Sequence, residues 1–391
     1  MTRSGDFLRV LSGSALLFGL FAFSALTKPI YSKDDFRIDF SGYLQEQALH
    51  SPDFFGASFD LSQTRWRSAL DFNFGKALSA ELSQTLEASA GSALDNPFYV
   101  LSSEMKPPTY FKWDKRLIDD EEMWLEFSIY RAWLAYENDR IKAIIGRQRI
   151  AFGSAYFYSP MDIFNPISPL SLEPLERVGV DGASLEIDFN PTSYLTLAYG
   201  AGEILDQSRF ATYFKTTVKS YDLHFLAARI FTDYILGFAF SGYLKEGGLY
   251  GEATYTMPED QDNFFRGTIG YQYSFKNSLV LTAEYYHNDG VISGLEMTNP
   301  ASFLSTQNGL ITINRNFLAL STGFDLTPLI RFSSAVMYDL DAGSFFIGPS
   351  FTYSAPHSIT ASAGTQLFDG SKNTDFGFLP NFLWARIRWD Y

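Results

Sequence analysis

The most constraining feature of the sequence is a two-residue alternation of apolar and polar side chains, sustained over runs of about ten to fourteen residues. In one run, Phe265, Ile269 and Tyr271 alternate with Arg266 and Thr268. The same alternation recurs in residues 183–189 and 318–326. A period of two indicates a β-strand whose two faces meet different surroundings.

The length of these runs bears on the fold class. A β-sandwich also alternates, but strands of soluble proteins are usually about five or six residues long. A tilted strand that crosses a membrane needs about nine to eleven residues. The runs therefore favour an all-β fold, a transmembrane antiparallel β-barrel, over a sandwich.

The connections between the runs alternate between short and long. Short turns are indicated at Gly75-Lys76, Glu137–Arg140, Asn190–Thr192, Lys219-Ser220, Lys245–Gly248, Lys276-Asn277, Thr327-Pro328 and Ala355–His357. Connections of more variable length are indicated at 49–60, 92–122, 153–177, 204–208, 232–233, 258–263, 289–313, 340–342 and 368–379. Outer-membrane barrels have short periplasmic turns and longer extracellular loops. This pattern predicts 18 strands, with 16 as the alternative if no turn lies at Lys219-Ser220.

The last segment combines alternation with an aromatic final residue. Ile387, Trp389 and Tyr391 form its apolar set, and Arg386 and Arg388 lie on the other face. Such a strand is similar to the assembly signal of bacterial outer-membrane proteins, so we expect the barrel-assembly machinery as a partner. An ordinary edge strand is the alternative interpretation.

The N-terminal segment indicates export. An apolar run from Val10 to Leu26 follows Arg3 and Arg9, as in a secretory signal peptide. We predict a signal peptide over residues 1–32, with its cleavage site open, and a barrel domain over residues 33–391. An uncleaved anchor helix is the alternative. The expected location is the outer membrane of a Gram-negative bacterium.

Composition excludes several function classes. The 391 residues contain no cysteine, which excludes disulfide scaffolds and thiolate metal sites. A net charge of −14 argues against nucleic-acid binding. Of four histidines, only His287 beside Asp289 suggests a catalytic dyad, and no nucleophile accompanies it. We therefore expect neither an enzyme nor any cofactor or metal.

Strand parity sorts charged residues toward a water-filled lumen, because an arginine facing lipid costs about 2–4 kcal/mol at the membrane midplane. The predicted pore-lining residues are Arg65, Arg67, Arg131, Arg147, Arg149, Asp162, Glu186, Asp188, Glu252, Arg266, Glu284, Asp325, Arg386 and Arg388. Arginines concentrate near the closing seam and carboxylates on other strands. One hypothesis is a basic wall facing an acidic wall; scattered solvated charges are the alternative.

The connection 153–177 is a candidate constriction. It contains four prolines, each of which fixes φ and stiffens the chain: Pro160, Pro166, Pro169 and Pro174. Folded into the pore, its Asp162, Glu173 and Glu176 would oppose Arg147 and Arg149. A rigid cap over the barrel mouth is the alternative.

About 40 residues in this region carry a family resemblance. The elements are Arg131-Ala132-Trp133-Leu134, Ile145-Gly146-Arg147-Gln148, Phe152-Gly153 and Asp162-Ile163-Phe164-Asn165-Pro166. Together they resemble alginate-export-type outer-membrane porins, in which a Gly-Arg-Gln strand leads into an Asn-Pro loop. The resemblance implies an 18-stranded passive channel. The carboxylates that offset the arginines depart from the arginine-rich lumen of alginate exporters.

Three functions remain open at this point. The first is a porin for passive diffusion of small polar or charged solutes, embedded in outer-membrane lipid. The second is an export channel for a polysaccharide or small molecule. The third is a barrel sheath around a periplasmic partner such as an electron-transfer cytochrome. Whether the chain forms a homo-oligomer also stays open.

Overall fold

The computed structural model describes residues 30–54, 56–104, 109–166, 168–173, 176–177, 179–291 and 312–391. Residues 1–29, which hold most of the predicted signal peptide, lie outside the described residues. Within the described part of the chain, no helix is both long and apolar enough to cross a membrane.

The described residues form twenty strands and one short α-helix. The strands are β1 Tyr31–Lys33, β2 Phe36–Phe54, β3 Ala57–Phe74, β4 Leu78–Ala90, β5 Lys115–Asp119, β6 Met123–Glu137, β7 Ile141–Gln148, β8 Val180–Asn190, β9 Ser193–Gly200, β10 Arg209–Val218, β11 Tyr221–Ile230, β12 Asp233–Leu244, β13 Gly247–Met257, β14 Phe264–Ser274, β15 Val280–Asn288, β16 Asn316–Thr327, β17 Ile330–Asp339, β18 Phe345–Ala355, β19 Ile359–Asp369 and β20 Phe382–Asp390. Helix α1, Pro97–Glu104, lies between β4 and β5.

Eighteen of these strands close into an antiparallel barrel, as predicted. Each ring strand pairs with its neighbours, and β2 pairs with β20 from Tyr43 opposite Asp390 to His50 opposite Leu383. The turn at Lys219-Ser220 is present between β10 and β11, which confirms 18 strands over 16. Strands β1 and β5 lie outside the ring and pair with parts of β2 and β6. Closure leaves the ring no unpaired sheet edge.

Short turns lie at one end of the barrel and most of the longer connections lie at the other. The prediction of a long connection at residues 49–60 is wrong. Strand β2 continues to Phe54 and β3 begins at Ala57, so almost all of this segment is a hairpin. Phe54 and Phe59 stack with ring centroids 4.4 Å apart, and both pack near Phe382. The polar residues of this segment suggested a loop, whereas the segment is a hairpin whose Phe54 and Phe59 contact Phe382 of β20.

The two surfaces of the barrel wall differ as the alternation requires. Large apolar side chains are exposed on the outside, among them Ile145 at 64%, Tyr234 at 57% and Phe351 at 52%. The two largest buried apolar clusters of the described residues lie on the inside. The first cluster includes Phe152, Met161, Phe164, Tyr213 and Leu226, and the second includes Phe157, Tyr158, Tyr286, Phe317 and Phe376. Both clusters join wall strands to the connection between β7 and β8.

Candidate functional site

We call the connection between β7 and β8, residues 149–179, the inner loop, and the described part of it folds into the barrel interior. Its described residues contact strands on widely separated parts of the wall. Glu284 of β15 accepts a hydrogen bond from Phe157, 127 positions away in the sequence. Arg65 of β3 donates a hydrogen bond to Glu173, 108 positions away. The predicted constriction 153–177 lies entirely within this loop.

Glu284 anchors the first part of the inner loop. Its carboxylate accepts hydrogen bonds from the backbone N–H groups of Tyr156 at 2.9 Å, Phe157 at 3.2 Å and Tyr158 at 2.8 Å. The hydroxyl of Tyr250 donates a further bond at 3.0 Å. Glu284 is 1% exposed, so the loop amides take the place of water around a buried carboxylate.

Glu252 of β13 anchors the same segment from an adjoining part of the wall. It accepts bonds from the backbone N–H of Ser154, from that of Ala155 at 2.6 Å and from that of Met161 at 3.3 Å. The Ser159 hydroxyl donates at 2.8 Å. Two wall carboxylates therefore bind successive amides of one loop and fix its path.

Apolar side chains complete this anchorage. The Tyr158 ring stacks on Tyr286 with centroids 4.4 Å apart, and Phe157 belongs to the same buried cluster. Phe152 stacks on Tyr213 at 4.6 Å in the other cluster. Burying such aromatic side chains stabilises the loop by roughly 1.5–3 kcal/mol each.

The second part of the inner loop reaches the arginines of β3 and β20. Glu173 accepts bonds from Arg65 at 2.7 Å and from Gln45 at 2.8 Å, and Arg386 lies 3.8 Å away. These contacts begin an acid–base network between the inner loop and the neighbouring wall strands β2, β3 and β20.

Glu176 extends the same network. Arg67 binds its carboxylate, Tyr43 donates its hydroxyl at 3.1 Å, and Arg388 lies 3.6 Å away. Arg65 also binds Glu87 at 2.6 Å, and Arg388 binds Asp390 at 2.7 Å. The four arginines therefore face carboxylates at close range.

Two loop carboxyls respond to these surroundings in opposite ways. Burial alone would raise the pKa of Glu173, but Arg65 and Arg386 outweigh it and hold that pKa below its usual value. Burial raises the pKa of Asp162 to about 7, with the Arg177 guanidinium opposing the rise. Asp162 pairs with Arg177 of the same loop.

Arg147 lies in a different place from the one predicted. It is 1% exposed, and its guanidinium binds Asp181 of β8 at 2.7 Å, the Ile129 carbonyl at 2.9 Å and the Phe111 carbonyl at 2.7 Å. These partners belong to the wall and to the connection before β5. The expected opposition of Arg147 to Asp162, Glu173 and Glu176 is therefore replaced by a bond to Asp181.

The other predicted residues are distributed over the interior and its rims. Arg131 donates to the Tyr130 and Arg177 carbonyls at 2.8 and 2.7 Å, whereas Arg149 is exposed. The Nε atom of Arg266 donates to Asn288 at 3.0 Å. At a turn-side rim, Asp325 pairs with Arg331 at 2.6 Å.

Glu186 and Asp188 occupy β8, where Thr196 donates to Glu186 at 3.4 Å. Within the described residues, no group of histidine, aspartate and glutamate side chains has a metal-binding arrangement. His287 and Asp289 approach to 3.1 Å at the long-loop end of the barrel.

Sequence reasoning missed several residues that complete the site. Parity assigned Glu252 and Glu284 to the interior but carried no sign that they bind a loop. Tyr43, Gln45 and Arg177 were not identified, although the first two share the inward parity of β2. That parity was the available signal for Tyr43 and Gln45, whose partners Glu176 and Glu173 lie more than a hundred residues away.

Comparison with solved structures places this chain among barrels of the same fold. OccAB1 of Acinetobacter baumannii gives a TM-score of 0.60 at 8% identity, covering 94% of this chain and 99% of that chain. OccAB2 of the same organism gives 0.57 at 8% identity, covering 90% and 98%. OccK8 (OprE) of Pseudomonas aeruginosa gives 0.54 at 8%, also covering 90% and 98%. No protein-family model and no curated protein matches the sequence. At such low identity the likeness is one of fold.

Proposed function

We propose that this protein is an outer-membrane channel for passive diffusion of small polar or charged solutes. The observation that carries the proposal is the inner loop, which is held inside a closed barrel by Glu252 and Glu284 on one side and by arginines on the other. A loop tied across the lumen limits the passage to small solutes. Passive diffusion through it requires no cofactor.

Two further observations support this function. The outer surface exposes large apolar side chains, as a wall facing lipid requires. The barrels of similar fold, OccAB1 and OccK8 among them, are outer-membrane porins. Both features favour an outer-membrane location.

The position of the inner loop favours a porin over the other two functions. A sheath needs free space in the barrel for its partner, and an exporter of polysaccharide needs a wide passage. Here Phe157, Tyr158 and Phe164 pack inside the barrel, and each has at most 6% of its surface exposed. A small solute is the cargo that such an interior accommodates best.

The ion pairs favour weak charge selectivity. Arg65 and Arg67 bind Glu173 and Glu176, so the constriction presents paired charges rather than a row of free cations. We propose that Glu173 and Glu176 neutralise a site that would otherwise prefer anions. The predicted field between a basic and an acidic wall would then be reduced by the loop between them.

Planar-bilayer recording of the purified protein tests this function. We expect steady conductance and a reversal potential close to zero in a salt gradient. The double substitution Glu173→Gln and Glu176→Gln should shift the reversal potential by roughly 10–20 mV toward the value of an anion-selective pore. The reason is that it leaves Arg65 and Arg67 without their loop carboxylates in a low-dielectric pore.

Glu186→Gln with Asp188→Asn is the matched control, since it also removes two lumen charges but leaves the inner loop's ion pairs intact. If both double variants conduct and show equal shifts of the reversal potential, the neutralising role of Glu173 and Glu176 is refuted. Absence of conductance, and of sugar flux into liposomes, would refute the channel itself.

A further inference from the structure

Two tyrosines alternate with three arginines on the wall beside the second part of the inner loop. The guanidinium carbon of Arg388 lies 3.7 Å from the ring centroid of Tyr43, and that of Arg67 lies 5.5 Å from the same centroid. Arg67 also lies 3.4 Å from the ring centroid of Tyr130, and Arg131 lies 4.0 Å from it. We call these five side chains, which come from β20, β2, β3 and β6, the arginine–tyrosine column.

Strand pairing brings the members of the column together. Tyr43 of β2 is the cross-strand partner of Arg67 of β3, so the ring and the guanidinium group start from adjacent positions. The pairing of β4 with β6 skips Tyr130, which is therefore the extra residue of a β-bulge. A bulge changes the direction of a side chain, and here the Tyr130 ring lies over Arg67 of a strand that is not its neighbour.

The hydroxyls of both tyrosines contact consecutive residues of the inner loop. Tyr43 donates to the Glu176 carboxylate at 3.1 Å, and the Tyr130 hydroxyl accepts the backbone N–H of Arg177 at 3.2 Å. Arg131 donates to the Arg177 carbonyl at 2.7 Å. The column therefore stands directly against the loop where the loop meets the wall.

Each ring of the column separates two guanidinium groups that would otherwise repel one another. The face of an aromatic ring carries partial negative charge and attracts a cation placed over it. Tyr43 is 4% exposed, so water screens these charges only weakly. A guanidinium group this close to a ring lies flat on it, and its N–H groups point sideways from the stack. Arg67 and Arg388 thereby direct their donors at Glu176.

We propose that Tyr43 and Tyr130 are positioning residues for the charge selectivity of the channel. Their rings hold Arg67 and Arg388 in the column, with the N–H groups of both arginines on Glu176, so that neither guanidinium group turns into the passage. Without the ring, an arginine side chain regains its rotamers and presents a free cation to passing anions. The proposal rests on the proposed function and deepens it.

Bilayer recording of leucine and phenylalanine variants at both tyrosines tests the role of the rings. We expect Tyr43→Leu and Tyr130→Leu to raise the ratio of chloride to potassium permeability at least about twofold. Tyr43→Phe and Tyr130→Phe keep the ring and lose only the hydroxyl, so their ratios should stay within about a fifth of the wild-type value.

Tyr194→Leu is the matched control. It removes a ring of β9 that lies 6.0 Å from the Lys215 ammonium group and is not part of the column. Its permeability ratio should equal that of the wild type. A change as large as that of Tyr43→Leu would overturn the proposal, because any tyrosine beside a cation would then have the same effect.

A trifluorinated phenylalanine at position 130 provides a measurement that leaves no cavity in the fold. Fluorine withdraws electron density from the ring face while the ring keeps its shape, so the permeability ratio should rise relative to Tyr130→Phe. Equal ratios for the leucine and phenylalanine variants in a conducting channel would overturn this proposal alone. A silent wild-type protein would overturn the channel function and this proposal together.

Discussion

At the scale of single residues, Arg147 illustrates how one backbone position relocates a charge. The preceding Gly146 has φ +117°, and a Cβ there would lie 2.2 Å from the Ala132 carbonyl oxygen, so only glycine fits. The backbone turns at this point, and Arg147 enters the wall between β6 and β8. There it binds Asp181, which also accepts the backbone N–H of Phe111 at 2.8 Å.

Replacement of Arg147 by methionine should strongly destabilise the barrel. The substitution preserves length but leaves Asp181 buried without its cation, which costs about 3–5 kcal/mol for a buried pair. Urea unfolding in lipid vesicles, followed by tryptophan fluorescence, would measure the loss. Arg149→Met removes an exposed charge two positions away and should cost less than about 0.5 kcal/mol. Equal losses in both variants would refute the assignment of Arg147 to the wall.

At the scale of elements, the inner loop depends on contacts at both of its sides. The side near β13 and β15 uses backbone amides and aromatic packing, whereas the side near β3 uses ion pairs. The amide bonds and the aromatic packing do not depend on salt concentration. The ion pairs are screened by salt only weakly where they are buried. Glu252 and Glu284 therefore determine where the loop lies, and Glu173 and Glu176 determine the charge it presents.

Substitution of Glu252 and Glu284 together by glutamine should loosen the inner loop. A glutamine offers one acceptor oxygen and places an NH₂ group against backbone donors, and each lost charge-assisted bond costs about 1.5–3 kcal/mol. We expect single-channel conductance to rise roughly twofold with noisier open-state current, since pore width limits conduction. The control Glu186→Gln should leave conductance within about a fifth of the wild-type value, because its bond to Thr196 lies outside the loop. Unchanged conductance in the double variant would contradict the anchoring role.

At the scale of the whole molecule, closure brings the two ends of the ring together. Gly42 and Tyr391 exchange backbone hydrogen bonds at 3.2 and 3.0 Å, and Trp66 donates to the Tyr391 hydroxyl at 2.6 Å. These contacts join β20 to β2 and β3. The assembly-signal role of Ile387, Trp389 and Tyr391 stays a prediction, and closure gives it a structural setting.

Tyr391→Ala should slow barrel formation more than it weakens the finished barrel. The variant loses the hydroxyl contact at the seam, where pairing must join residues far apart in sequence. Folding into vesicles, followed by the heat-dependent shift in gel mobility, should be roughly threefold slower or more. Tyr353→Ala removes a tyrosine side chain from β18, which pairs with β17 and β19 away from the seam, and this variant should fold at nearly the wild-type rate. Equal slowing in both variants would argue against a special role for the seam.

The sequence predicted the barrel better than it predicted the site. Alternation such as that of Phe265, Ile269 and Tyr271 is local, so strand number and the inward parity of Glu284 followed from neighbouring residues. It misplaced the hairpin near Phe54, whose stabilising ring contacts come from Phe382. The sequence analysis also paired Arg147 with carboxylates of the inner loop instead of Asp181. Parity predicts which face of the sheet a side chain occupies, but it does not predict the position of that side chain along the barrel axis or its partner.

The sequence by itself determined that this chain forms a closed antiparallel barrel with one apolar and one polar surface. A period of two suffices for that conclusion, because it reflects the two solvents on either side of each strand. Only the tertiary structure decided that the inner loop crosses the lumen, that Glu252 and Glu284 bind its amides, and that Arg65 and Arg67 meet Glu173 and Glu176. Those contacts join residues about a hundred positions apart, and ring closure, not local pattern, brings them together.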